Sequence, residues 1–484
     1  MGLPNALSLR TCTTMKTMSN ITVSMLLLCT AMLLCTVAIS PVTADAGELA
    51  DFVNGYGQLS TIAGAGLSGN GTDGATDNGW LPAMEGDFAT LAELSRPHMT
   101  TADWQGNVYI ADKVAHAIRK ITPDGLIHTV AGTNIAGSGG DGLGTTVQLD
   151  SPNGLYTLGD GTTYILDFGN SMIRRLDTGG MVTTIVEDTT IVVDPITLEE
   201  TVGIVDGRGL WVSPDETRIF YSSGTRVQTW TSDGGLETYD DGFNSLGNLD
   251  VDPMTGDLVV TDRKDSLVYR LTEDNTGEVT KTIIAGNLVE DSVGPAATDT
   301  YLDEVRGIAF TPEGGYLLAT HKGHQVWYVD TSDDIHLLVD GANGGHGGDG
   351  SLLSALGDGE YLDEPRSVSL APNGDLFITE NDTGFVRYAP RLTPLLEPGD
   401  ANGDLKIDAA DLATLLANWG SGTQPNQGDF NHDGSVDRAD LAVLMNSSPA
   451  DAAVAVSSLQ AVPEPSACVM ALLALMGLLI KRRR

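Results

Sequence analysis

A short unit that returns along the chain constrains its fold more than any other feature. GNVYIADKVAHAIRKITPDG (106–125) reads as a strand from Val108 to Ala111, a polar turn, a second strand from Ala117 to Ile121 and a closing turn at Pro123-Asp124-Gly125. Apolar and polar residues alternate along the strands, and the turn holds the residue types that set turn dihedrals. Variants recur at 161–180, 216–235, 256–277, 314–333 and 374–390. A four-strand unit with a period of roughly 40–55 residues is the signature of a β-propeller. The expected fold class is therefore all-β, with a small helical module after it.

Each unit has a further strand before it, nearest the axis: PHMTTADW (97–104), PNGLYTLG (152–159), GRGLWVSP (207–214), GNLDVDP (247–253), RGIAFTP (306–312) and PRSVSLAP (365–372). The sixth unit stops at Tyr388-Ala389-Pro390 without a fourth strand. QLSTIAG (58–64) has no preceding partners and resembles GLIHTVAG (125–132), the fourth strand of the first unit. Supplied to the last sheet, it would close a ring of six blades and hide both open edges. Five or seven blades remain alternatives, because the third unit (202–240) diverges most. Long Gly/Asp loops such as 136–152 and 344–365 separate the blades, and loops of that length are usually functional or flexible.

With 26 Lys and Arg against 65 Asp and Glu, the chain carries a net charge of −39. Such a surface repels phosphate backbones and excludes nucleic acid as a partner. Residues 1–46 read as a secretory signal: Lys16, the apolar run 23–39, then the small-residue site Ala44-Asp45-Ala46, with Met15 as an alternative start and an uncleaved anchor as the alternative role. Cys12, Cys29 and Cys35 lie in that segment and Cys468 in the C-terminal apolar run. The expected propeller, 47–396, therefore has neither disulfide nor thiolate chemistry available.

The set P-x-G-[LIV], GN-[VL]-[YF]-[IV]-[AT]-[DE], [IV]-R-[KR]-[IVL]-x-x-[DG]-G and TVAG-(x)n-GGDG resembles the NHL-repeat propellers of secreted bacterial proteins, over about 55–392. The resemblance implies a six-bladed propeller; such propellers host lyases, lactonases and binding proteins alike. His98, Asn153, Arg208, Asn248, Arg306 and Arg366 start the innermost strands and point to one mouth of the axial channel. Asp112, Asp167, Asp262, His321 and Glu380 end the second strands. These residues read either as a polar axial site, with arginines for anionic groups or sugar hydroxyls, or as strand-end caps that pair with one another. His321 and His324 share one turn and read as solvent-facing. No Gly-x-Ser-x-Gly elbow, acid/base pair or phosphate loop supports catalysis.

After Pro394 and Pro398 comes a duplicated pattern, DANGDLKIDAAD (400–411) and DFNHDGSVDRAD (429–440), each followed by a short helix-like run. Oxygen ligands at loop positions 1, 3, 5, 7, 9 and 12 wrap a hard cation. The first set is Asp400, Asn402, Asp404, the carbonyl of Lys406, Asp408 and Asp411. The second is Asp429, Asn431, Asp433, the carbonyl of Ser435, Asp437 and Asp440. Two calcium ions are expected, the first held more weakly because Leu405 stands where a turn glycine such as Gly434 belongs. Asp at position 12 and helices only on the C-terminal side resemble type I dockerins, over 397–448. Dockerins meet cohesins through loop positions 10 and 11. Here these are Ala409-Ala410 and Arg438-Ala439, which differ from each other, lack the usual Ser/Thr pair, and argue against a cohesin-like partner.

A linker (449–461) leads to VPEPSACVMALLALMGLLIKRRR (462–484), which resembles the PEP-CTERM sorting signal processed by exosortase in bacteria with an outer membrane. A permanent tail anchor is the alternative; in either case this segment is the expected membrane contact. The sequence as a whole reads as a secreted or surface-attached, non-catalytic recognition or scaffold protein for a polysaccharide or protein ligand. The alternative is a lyase- or lactonase-type propeller with an axial metal.

Overall fold

A computed structural model describes residues 45–66, 80–193, 200–341, 346–353, 362–403, 406–422, 424–430 and 435–447. The signal segment up to Ala44, the linker 449–461, the C-terminal segment 462–484 and all four cysteines lie outside these residues.

Six four-stranded antiparallel sheets follow one another along the chain. From the axis outward, blade one is Pro97–Ala102, Val108–Asp112, Ala117–Ile121 and Ile127–Gly132. Blade two is Pro152–Thr157, Thr163–Asp167, Met172–Leu176 and Met181–Glu187, with Gly142–Leu143 added at its outer edge. Blade three is Leu210–Val212, Arg218–Ser223, Arg226–Thr231 and Gly235–Asp240; blade four is Leu246–Val251, Leu258–Asp262, Leu267–Glu273 and Val279–Ala285. Blade five is Val305–Phe310, Tyr316–Thr320, Gln325–Val329 and Ile335–Asp340. Blade six takes Pro365–Leu370, Leu376–Glu380 and Phe385–Ala389 from its own repeat, and its outer strand is Ser60–Ala63 from the N-terminus, with Ser60 opposite Tyr388 and Thr61 opposite Arg387. The chain forms a six-bladed β-propeller.

A separate layer of buried apolar side chains fills each of the six blade junctions, from Ile110 and Phe377 between blades six and one to Leu317 and Ile378 between five and six. Because both faces of a sheet are covered, the second strands are buried along their whole length in blades one, two, four, five and six. The apolar–polar alternation read from the sequence is accordingly weak in these strands.

Before the closing strand lies helix α1, Asp45–Asn54, which the sequence pattern did not announce. Phe52 stacks on Tyr328 with centroids 4.2 Å apart. The Glu48 carboxylate accepts from Tyr328 Oη and from both N and Oγ1 of Thr331. The N-terminus is thus tied to blade five as well as to blade six. A second unexpected element is the hairpin Ile191–Val193 with Glu200–Val202 between blades two and three.

The repeated Arg of the third strand has a buried role. Arg119, Arg174 and Arg387 are fully buried in blades one, two and six. Each pairs with the acid that ends the second strand of its blade: Asp112 at 3.0 Å, Asp167 at 3.2 Å and Glu380 at 2.9 Å. A further acid from the preceding loop holds a threonine of the outer strand: Glu85 on Thr129, Asp141 on Thr184 and Asp349 on Thr61. Asp141 and Asp349 belong to the Gly-Gly-Asp-Gly loops, so these loops clamp the outer strands in place.

Candidate functional site

Five of the six residues expected at the channel mouth gather there or just beneath it. Immediately before innermost strands stand Arg96, Ser151, Glu304 and Glu364, and in the turn that leads to Leu210 stands Asp206, all with positive φ between 45° and 56°. Left-handed backbone at a non-glycine residue costs of order 1–3 kcal/mol and collects at functional sites. Here it turns a ring of side chains over the mouth.

Asp206 bridges Arg208 at 2.6 Å and Arg263 at 2.7 Å. Burial alone would raise its carboxyl, but the two guanidiniums hold it below the usual range. Glu304 meets Arg306 at 2.6 Å and Lys322 at 2.9 Å, and these cations, against the effect of burial, bring it down to about 2. Arg96 meets Asp382 at 3.1 Å, and Arg366 lies 3.7 Å from Glu364. Burial, then the hydrogen bond and charge of Asp382, push Glu364 up to about 7. His321 sits 2.7 Å from Glu364 and is held neutral down to about 3 by burial and by Arg306. Lys113 is lowered to about 8 by burial and by its Arg neighbours.

These carboxylates leave much of the guanidinium surface unused. The buried Nε atoms of Arg96, Arg208, Arg263, Arg306 and Arg366, with Nη1 of Arg306, have no hydrogen-bond partner among the described residues. A guanidinium presents donors in a fixed fork that matches carboxylate and other planar or tetrahedral oxyanions.

Several sequence expectations are corrected. Asn153 is withdrawn into the junction of blades two and three, where its amide donates to the Gly207 carbonyl. Asn248 is one residue deeper than its counterparts; Leu246 pairs with Asp262 and the equivalent mouth position is Gly247. His98 is buried beneath the arginines, and burial together with Lys113 and Arg208 keeps it neutral. Asp112, Asp167 and Glu380 are taken up by the buried Arg pairs, while Asp262 accepts the backbone N–H groups of Asn244 and Ser245. His321 does not end a strand, since Thr320 does, and it is buried rather than solvent-facing. His324 has φ 54° and accepts the Glu364 N–H on Nδ1. The residues that sequence reasoning missed are Arg96, Asp206, Glu304 and Glu364. Arg96, Glu304 and Glu364 share one signal, each being the charged residue immediately before the first residue of an innermost strand, while Asp206 lies in the turn leading to Leu210. Among the described residues, no three His, Cys, Asp or Glu side chains are grouped to hold a metal.

The second site lies in the helical module. Helix α2, Ala409–Ala417, and helix α3, Arg438–Ser447, each start three residues before the apolar run, because an Asp caps each first turn. Asp408 accepts the Ala410 N–H at 2.7 Å and Asp437 that of Ala439 at 2.8 Å. The two halves repeat a second device: Asp411 accepts from Ala401 and Asp408, and Asp440 from Phe430 and Asp437. Leu412, Leu415, Phe430, Val436, Leu441 and Leu444 form the buried core. Asp400, Asp411, Asp429 and Asp440 are at most 2% exposed. Burial raises the Asp411 carboxyl and the nearby Asp400 adds to it, while backbone N–H groups oppose the shift. Each loop thus buries two carboxylates, Asp400 with Asp411 and Asp429 with Asp440, and carboxylate oxygens are the ligand type that suits a hard cation. Asp404, Leu405, Asn431, Asp433 and Gly434 lie outside the described residues. Ala409, Ala410, Arg438 and Ala439 are all exposed.

Residues 398–447 match the model of the dockerin type I domain. They form a dockerin. Type I dockerins bind calcium, occur in extracellular proteins and typically bind cohesin partners. Comparison with curated proteins gives no match.

Among solved structures, a structural genomics protein of unknown function from Bacteroides thetaiotaomicron aligns with TM-score 0.52 and 11% identity, over 69% of this chain and 75% of that one. An auxiliary nutrient binding protein from the same organism aligns with TM-score 0.49 and 12% identity, over 69% and 76%. Virginiamycin B lyase from Staphylococcus aureus aligns with TM-score 0.37 and 16% identity, over 59% and 77%. At these identities the first likeness speaks to the propeller fold alone. Among the described residues no helix is long and apolar enough to cross a membrane.

Proposed function

We propose that this chain is an exported, non-catalytic recognition protein whose propeller holds an acidic polysaccharide at the arginine-ringed mouth. The observation that carries the reading is the set of five guanidiniums with unpartnered Nε atoms at one end of the axis, in a chain of net charge −39. Asp206, Glu304 and Asp382 offset part of the mutual repulsion of these cations, and an anionic ligand would offset more of it. A panel of acidic and neutral glycans offered to the purified protein tests this. Retention of uronic-acid glycans over neutral ones is expected, and retention of neutral glycans alone would overturn it.

The dockerin supplies the second function. Asp400, Asn402, Asp404, the Lys406 carbonyl, Asp408 and Asp411 would hold one calcium ion. Asp429, Asn431, Asp433, the Ser435 carbonyl, Asp437 and Asp440 would hold the other. The caps made by Asp408 and Asp437 each leave one carboxylate oxygen for the ion or a bridging water. Bound calcium neutralises the carboxylates and fixes the loops.

The resemblance of 462–484 to a PEP-CTERM signal supports the reading of a mature protein at the cell envelope or beyond, after cleavage by an exosortase-type enzyme. Mass spectrometry of the native protein is expected to find a C-terminus near Pro463-Glu464-Pro465; intact Arg484 in most molecules would contradict it.

One observation favours an enzymatic second reading of the same mouth, of lyase or lactonase type. Glu364, lifted to about 7 beside a neutral His321, is poised for proton transfer at neutral pH. Chemical change of a retained glycan, abolished in Glu364→Gln, would establish that reading.

A further inference from the structure

At its other end the axis opens into a space of opposite chemistry. The ends of all six innermost strands surround a cavity of about 520 Å³, within the usual range for small-molecule sites. Tyr156, Trp211, Phe310, Ile308, Leu370 and Pro312 contribute to its wall, and Met99 closes it towards the arginines. Asp250 is the one carboxylate in this lining, which contains no Lys, Arg or His. Its Oδ2 accepts the Phe310 N–H at 2.9 Å and its Oδ1 the Val251 N–H at 2.8 Å. Each oxygen keeps a further lone pair. Both donors are backbone N–H groups rather than cations, and burial lifts the Asp250 carboxyl to about 6.

A carboxylate surrounded by apolar walls and without a counter-ion is costly, and a ligand that brings the opposite charge removes that cost. We propose that this vestibule binds a small amphiphilic cation, an ammonium group carried on an aromatic or aliphatic body. The ammonium reaches Asp250, and the body lies against Trp211, Tyr156 and Phe310, whose ring faces also attract cations. The net charge of −39 raises the local concentration of such ligands. The site is separate from the arginine mouth and stands or falls without it.

Calorimetric titration of the whole chain with 2-phenylethylamine and its uncharged isostere 2-phenylethanol tests the proposal. The amine is expected to bind about tenfold or more tightly than the alcohol. Asp250→Asn is expected to erase that preference while retaining the alcohol, and Trp211→Leu to weaken both. Arg306→Gln, at the opposite mouth, leaves both titrations unchanged. If Asp250→Asn does not fold, the wild-type preference and the Trp211→Leu result decide. Failure of the wild-type protein to bind the amine, equal binding of amine and alcohol, or an undiminished preference in Asp250→Asn would overturn the assignment.

Discussion

Asn248 Nδ2 lies 3.6 Å from Met99 Sδ, and this contact joins blade four to blade one across the propeller axis. It divides the channel into two spaces with unlike walls, the charged mouth above and the apolar vestibule below. Met99 is 7% exposed. Truncating a buried Met leaves a cavity whose cost is about 2–5 kcal/mol. Met99→Ala is expected to lose stability in that range on urea unfolding, and a loss below about 0.5 kcal/mol would show that the plug carries little packing.

Arg119 and Asp112 are both fully buried, 3.0 Å apart. The pair is a poor source of net stability, yet removing one member strands the other charge at a cost of about 3–5 kcal/mol. Arg119→Met is therefore expected to destabilise strongly, and Arg119→Met with Asp112→Leu to recover much of the loss. A double variant as unstable as the single one would contradict this view of the pair.

The closing strand makes its own test. Ser60–Ala63 completes blade six, and Tyr56 and Arg391 form a further bridge beside it. Deleting residues 47–66 removes that strand and most of α1, and bares the edge of Phe385–Ala389. Lower melting temperature or aggregation is expected. A monomeric deletion protein of unchanged melting temperature would contradict a structural role for the N-terminal strand.

The dockerin should fold with its metal. Its helices have 9 and 10 residues, short for persistence in water, and its core is small. Isolated 397–448 is expected to gain helix by circular dichroism on adding calcium and to lose it with chelator. Titration is expected to give two sites, the tighter one containing Gly434. A helix signal indifferent to both additions would remove calcium from the account.

The blade count and the duplicated calcium loops could be read from the sequence because both are periodic, and a period survives local divergence. Blade three shows the limit: Ser223 and Gln228 stand where Asp112 and Arg119 stand in blade one, so its motif is faint although its strands pair normally. The mouth was legible only in part. Arg208, Arg306 and Arg366 follow from strand position, but Asp206, Glu304 and Glu364 reach the mouth through a left-handed turn that no propensity signals. His321 was misplaced by one residue, and a shift of one exchanges the faces of a strand.

Recognition of an acidic glycan rests most directly on Arg306. Calorimetry with a uronic-acid oligosaccharide should compare the wild-type protein with Arg306→Gln, whose Glu304 retains Lys322 as a partner. Loss of a charge-assisted bond of about 1.5–3 kcal/mol corresponds to binding weaker by roughly 10- to 160-fold. The pH dependence follows from two groups. Glu364 keeps its proton up to about 7 and Lys113 up to about 8, so raising the pH from 6 to 9 adds a negative charge and removes a positive one. Glu304, at about 2, and His321, at about 3, do not change charge in that window. The expected result is binding that weakens about tenfold or more between pH 6 and pH 9 and largely disappears in Arg306→Gln. Equal affinity of the two proteins, or affinity that rises with pH, would contradict it.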